Sequence, residues 1–250
     1  MKKLFYLMVV IAVLGLIVSG CIAPLESVVP TSDKGNPKPE LGAPTLERIT
    51  FIHYAKPNDR SKPVWDDSAD KYKLLWGGIK WFKTISYKVS TNEMPDGLGS
   101  ENVRKILEVS SETWDAEVDN KELFSMPSLT DEPVDSGDNE NTVGWDSLNP
   151  GIIAICSMLF YPATKEIVES DIVFNTYYTW GFLDPANSDT DKMDLQNIAT
   201  HEFGHNGLND LYMPPSTALT MYGYSGEGET DKRDLGTGDR LGIQKLYGLP

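Results

Sequence analysis

Cysteine and histidine are both scarce in this sequence: 250 residues contain 2 cysteines and 3 histidines. A disulfide-rich framework is therefore excluded. Cys156 lies in the apolar run Ile152-Ile153-Ala154-Ile155-Cys156, which marks it as a small buried hydrophobe. A reactive thiolate would want a histidine or a helix start beside it, and neither is evident. Positive charge is also short: 22 Lys and Arg stand against 37 Asp and Glu, a formal net charge of −15. Binding to nucleic acid needs clustered cations, so no nucleic-acid partner is expected. There is no internal repeat, which excludes a solenoid.

What the sequence does contain begins with a leader. Lys2 and Lys3 precede an uncharged, mostly apolar run from Leu4 to Ser19. The run is slightly short for a membrane span, which needs about 20 residues. Val18-Ser19-Gly20-Cys21 resembles the junction at which a bacterial-type lipoprotein is cleaved and its new N-terminal cysteine lipidated. Residues 1–20 thus read as a lipoprotein-type signal peptide, with an uncleaved transmembrane anchor as the alternative. Both place the remainder outside the cytoplasm of a prokaryotic cell, on the extracellular face of the membrane. Lipidation on Cys21 would leave Cys156 without a disulfide partner. Residues 21–46 carry Pro24, Pro30, Pro37, Pro39 and Pro44 and read as a spacer. One domain, 47–250, remains, and a hydrophobic content of 40% is enough for one core.

Ile49–Tyr54 and Lys83–Ser90 are rich in β-branched and aromatic residues and are predicted as strands. Ser100 is the predicted cap of a long helix, with Val103, Ile106, Leu107, Trp114 and Val118 near helical spacing. Residues 119–149 read as an acidic loop. Ile152–Phe160 and Glu166–Asn175 are predicted as paired strands. Trp180–Asp191 reads as loop, Met193–Asn206 as a helix. A last helix is expected over Gly238–Tyr247, capped by Thr237 and stopped by Gly248. The order of elements predicts an α+β fold, an α/β sandwich on one sheet.

The chemistry lies in Thr200-His201-Glu202-Phe203-Gly204-His205. Histidines four apart share one helical face and can reach one metal ion. Zn²⁺ lowers the pKa of a bound water to about 7. Glu202 is placed to take that water's proton and deliver it to a leaving amine. Two of the three histidines sit in this motif, which argues against coincidence. His53, far upstream in a predicted strand, is read as structural or superficial. A third ligand is needed. In Asn206-Gly207-Leu208-Asn209-Asp210, the glycine is expected to take φ > 0 and turn the chain so that Asp210 faces the metal. Glu227 or Glu229 is the fallback.

These residues, together with Leu219-Thr220-Met221-Tyr222-Gly223-Tyr224 and the ending Gly238–Gly248, resemble the matrixin family of the metzincin clan. The resemblance covers roughly half the chain. It implies a twisted mixed sheet with a long N-terminal helix, an active-site helix and a C-terminal helix. It also implies one catalytic zinc held by His201, His205 and Asp210, with Met221 as the methionine of the turn beneath it. Tyr222 and Tyr224 would border the substrate pocket. Gly151–Ser157, with Ile153 and Ala154, would be the sheet edge on which a peptide lies. The apolar character of Ile152–Phe160 equally permits an interior strand. The family places its glycine three residues and its third ligand six residues after the second histidine. Here Gly207 follows by two and Asp210 by five, and Leu211 stands at the strict position. The implied activity is a zinc-dependent endopeptidase acting on peptide or protein substrates as a monomer. The alternative is a catalytically inactive, matrixin-like surface binding module. The acidic loops Asp131–Asn141 and Asn187–Asp194 are candidates for structural Ca²⁺ by resemblance alone, and their spacing fits no known calcium loop. The Pro-Arg-Cys-Gly latch of many family propeptides is missing, so latency by that route is not expected.

Overall fold

A computed structural model describes residues 45–56, 70–119, 122–186, 191–212 and 216–249. The leader, Cys21, the spacer through residue 44 and residues 187–190 of the second acidic loop lie outside the described residues. Among the described residues the strands are β1 Glu47–Ala55, β2 Lys88–Ser90, β3 Ser128–Thr130, β4 Thr142–Asp146, β5 Ile152–Tyr161, β6 Glu166–Asn175, β7 Trp180–Gly181, β8 Met193–Asp194 and β9 Tyr224–Ser225. The helices are α1 Ser100–Asp115, α2 Leu195–Gly204 and α3 Thr237–Tyr247, with single 3₁₀ turns between. None is long and apolar enough to cross a membrane.

Seven strands form one sheet in the order β3-β2-β4-β6-β5-β1-β9. The β3-β2-β4-β6 half is parallel, whereas β5 runs antiparallel to both β6 and β1. The sheet is therefore mixed, and the fold is α+β with the three expected helices. Alternation along β5 buries Ala154, Cys156, Met158 and Phe160, the signature of one sheet face turned to the core. α2 packs on β5 and on α1, and α1 sends Val103, Leu107 and Trp114 into the same core. The Cys156 thiol is fully buried, and burial pushes its pKa well up, as suits a core residue.

Several local expectations are corrected. β2 covers three residues of the predicted Lys83–Ser90 strand, whose start contributes only an isolated bridge at Ile85. The acidic stretch 119–149 contains β3 and β4; β4 is short, but pairs in parallel with β6 and buries Thr142 to Trp145. Gly99, at φ 75°, precedes α1, so Ser100 is the first helical residue rather than the cap. Likewise Gly236, not Thr237, precedes α3, which Gly248 does stop. The largest correction concerns Gly151–Ser157. It is not an edge: β5 lies between β6 and β1, with Ile153 and Ala154 both fully buried. β1 covers it, pairing with β5 along the whole strand from Glu47 opposite Phe160 to Tyr54 opposite Ile152, and the two-residue β9 lies beyond β1 at the end of the sheet.

Candidate metal centre

Asp194 caps α2: its Oδ1 accepts from Asn197 N at 2.8 Å, satisfying an N–H of the first turn. The Arg233 guanidinium grips both oxygens of the same carboxylate, at 2.7 and 2.5 Å. Nearly every α2 side chain is buried, so the helix is fixed in rotation and its histidines aim at one point. At its far end Gly204 sits against Met221 and Trp114; any Cβ there would run into the Met221 sulfur and the indole. Trp114 also donates from Nε1 to Thr200 O at 2.8 Å. The missing side chain thus lets the methionine turn close directly beneath the helix.

After Gly204 the chain turns through His205–Gly207, with Leu208 N bonded to Gly204 O at 2.9 Å. Gly207 is not among the positive-φ glycines, so it does not turn the chain by the conformation expected of it. Its requirement is steric: a Cβ would stand 2.7 Å from Leu246 Cδ1 of α3. Leu75 N to Gly207 O and Asn209 N to Lys73 O stitch the segment to the neighbouring loop. Leu211 N to Met221 O and Gly223 N to Leu211 O tie it to the methionine turn. Asp239 of α3 holds that turn from behind, accepting from Thr220 N, Met221 N and Gly236 N at 2.8 to 3.1 Å.

The result brings His201, His205 and Asp210 together. Asp210 Oδ1 lies 3.2 Å from His201 Nε2 and 3.7 Å from His205 Nε2. Ligands of a tetrahedral zinc, at about 2.0–2.1 Å from the ion, lie roughly 3.3 Å apart. The shortened segment therefore still delivers its carboxylate at ligand distance. Glu227 is exposed, and Glu229 is engaged by Lys56 at 2.5 Å. Neither belongs to a metal-ligating cluster among the described residues.

The outer ring nitrogens are already committed: His201 Nδ1 to Thr220 O at 2.7 Å and His205 Nδ1 to Leu208 O at 3.1 Å. Donation to carbonyls fixes the Nε2 lone pairs inward. His201 Nε2, His205 Nε2, Asp210 Oδ1 and Glu202 Oε2 are all buried without a hydrogen-bond partner. Buried unsatisfied acceptors are costly; these face one another, an arrangement whose cost a cation would offset. Two imidazoles and one carboxylate suit zinc rather than calcium, which takes six or more oxygens. Burial lowers the His201 pKa to about 4, and lowers that of His205 too, so both rings are neutral as ligation requires. Burial acts to raise Asp210, but His205 and His201 outweigh it and hold the carboxylate well below its ordinary range. Glu202 moves the other way, pushed well up by burial and then by Asp210.

Three further residues belong to this centre: Tyr212 and Lys232, not singled out from the sequence, and His53, read there as structural or superficial. Tyr212 donates its hydroxyl to Asp210 Oδ2 at 3.0 Å and so orients the carboxylate. Lys232, buried and with its pKa lowered to about 7 by that burial, reaches Tyr222 O and, at 3.2 Å, His53 Nε2. His53 is neither superficial nor remote: it is fully buried, with Nδ1 2.9 Å from Glu202 Oε1. Burial, then His201, pushes its pKa well down. The neutral ring donates from Nδ1 to Glu202 and accepts at Nε2 from Ser225 Oγ, 3.0 Å away. Met221 is buried beneath the site. Tyr222 and Tyr224 are half-buried on its rim, Tyr224 through the short pairing of β9 with β1.

The matrixin family profile matches residues 80–248 of the chain. The human protein matrix metalloproteinase-25 is 28% identical over 182 residues, 70% of this chain and 30% of that protein. Metalloendoproteinase 1-MMP of Arabidopsis thaliana is 24% identical over 244 residues, 90% of this chain and 61% of that one. The chain thus spans less than two thirds of the length of either relative.

Proposed function

The chain belongs to the matrixin family, and on that premise we propose that it is a zinc-dependent endopeptidase. The observation that carries this reading is the set of four buried, unpartnered acceptors converging from His201, His205, Asp210 and Glu202. His201, His205 and Asp210 would hold the ion. When bound, zinc supplies a Lewis-acid centre and an acidified water. Glu202 Oε2 faces the ligands, 3.9 Å from His205 Nε2, and is the atom that accepts a proton from water and returns it to the leaving amine. Its raised proton affinity suits a group that must carry a proton between two partners. Asp210 at ligand distance supports the active reading over an inert binding module. Among the described residues, none of the acidic-loop carboxylates belongs to a metal-ligating cluster.

We also propose that Cys21 carries a lipid and that the domain faces outward, on the strength of the Ser-Gly-Cys junction after the apolar leader. Converting Cys21 to Ser is expected to leave an unprocessed leader and alter fractionation; unchanged size and membrane retention in both forms would favour a transmembrane anchor.

Cleavage of casein by the zinc-loaded protein, wild type against Glu202→Ala, tests the peptidase reading. Loss of the proton carrier should lower the rate at least about 10²-fold while zinc stays bound. Equal, measurable rates in the two proteins would show that Glu202 plays no part.

A further inference from the structure

A centre that acts on a peptide must be reached by one, yet His201, Glu202 and His205 have no exposed surface and Asp210 only 5%. The cover is β1. Phe51 stacks on the His205 ring, centroids 4.0 Å apart and planes at 11°. Two residues on, His53 lies 4.0 Å from the His201 ring and bonds the oxygen of Glu202 that does not face the ligands. The burial pattern of the strand shows the same alignment: of its nine residues only Phe51 and His53 are buried, while Thr50 and Tyr54 are exposed.

β1 also uses up the backbone groups a peptide would need. On one side it pairs antiparallel with β5 along its length. On the other, Tyr54 and Ala55 run parallel with Tyr224 and Ser225, and Lys56 N bonds Ser225 O at 2.9 Å. Without β1, two unpaired edges, β5 and β9, would flank the metal ligands, the arrangement that binds an extended peptide by strand addition. We propose that Glu47–Ala55 is an intramolecular occupant of the peptide cleft, with Phe51 and His53 sealing the metal centre, so that the protein is latent until this strand is displaced. The proposal rests on the peptidase reading for what the cleft accepts, but not for the cover itself.

The energetics favour the tethered strand. An attached segment competes at an effective concentration on the order of mM, well above that of most protein substrates. His53 also holds Glu202 in a hydrogen bond that an open cleft would release. The device differs from a cysteine latch in that it needs no thiolate: a neutral imidazole and a phenyl ring fill the site.

The test uses full-length, zinc-loaded protein and two readouts: the rate at which zinc passes to excess EDTA, and the rate of casein cleavage. Phe51→Ala/His53→Ala should release zinc and cleave casein at least about tenfold faster than wild type, given what a buried Phe contributes. Ala55→Pro removes the Ala55 N–H bond to Gly151 O (2.9 Å) at the strand's exposed end. It should raise both rates if the double variant does not fold. Folded variants that match wild type in both readouts would overturn the proposal. Faster zinc release with no casein cleavage, whether or not Glu202 is intact, would uphold the covering strand and count against the peptidase reading.

Discussion

At the scale of single residues, the third ligand decides the chemistry. Asp210 reaches the histidines because the turn after Gly204 is pinned by backbone bonds on both sides, so one residue fewer than the family spacing shortens the path without moving the carboxylate away. Asp210→Asn keeps the shape but removes the charge. It is expected to weaken zinc binding by at least about tenfold, measured by competition with a chromophoric chelator. Tyr212→Phe leaves the ligand but frees its orientation, and should weaken binding less, by up to about tenfold. An unchanged affinity in both would remove Asp210 from the ligand set. The histidine pair and Glu202 were legible because helical periodicity encodes their shared face. His53 was not, since it meets Glu202 across 149 residues and no local pattern records such a distance. The available signal was scarcity: it is the remaining one of three histidines, in a stretch rich in β-branched and aromatic residues.

At the scale of elements, α2, α3 and the β5–β6 pair could be read to within about two residues, and α1 except for its end, which falls at Asp115 and leaves Val118 outside the helix. β3 and β4 could not. They hold three and five residues, and their pairing partners lie elsewhere in the chain, so acidic flanks dominated the local pattern. The role of Gly207 was misread for a related reason: a glycine required by a neighbour from another element looks, in sequence, like one required by its own φ. Two substitutions test this packing. Gly204→Ala pushes a methyl into Met221 and Trp114 and should cost about 1–3 kcal/mol in denaturant unfolding. Asp239→Ala strands three buried N–H groups, two in the methionine turn and one at Gly236 before α3. It should destabilise by at least about 2 kcal/mol and loosen the carbonyl of Thr220 that orients His201. A Gly204→Ala protein as stable as wild type would mean that helix and turn are not in close contact.

At the scale of the whole molecule, the metal and the fold are coupled. A cation among the buried acceptors would offset their cost, so on the proposed reading zinc binding stabilises the native state by mass action, about 4 kcal/mol at a thousandfold excess over Kd. For a domain near 200 residues that corresponds to roughly 10 °C in melting temperature, and chelation should lower the midpoint by that much. The most direct test of the account is the metal content of the purified protein, read by intact mass under native conditions. The account predicts about one zinc per chain in wild type and none in His201→Ala/His205→Ala, with both proteins folded. A wild-type protein without metal, or a double variant that retains it, would contradict the central claim.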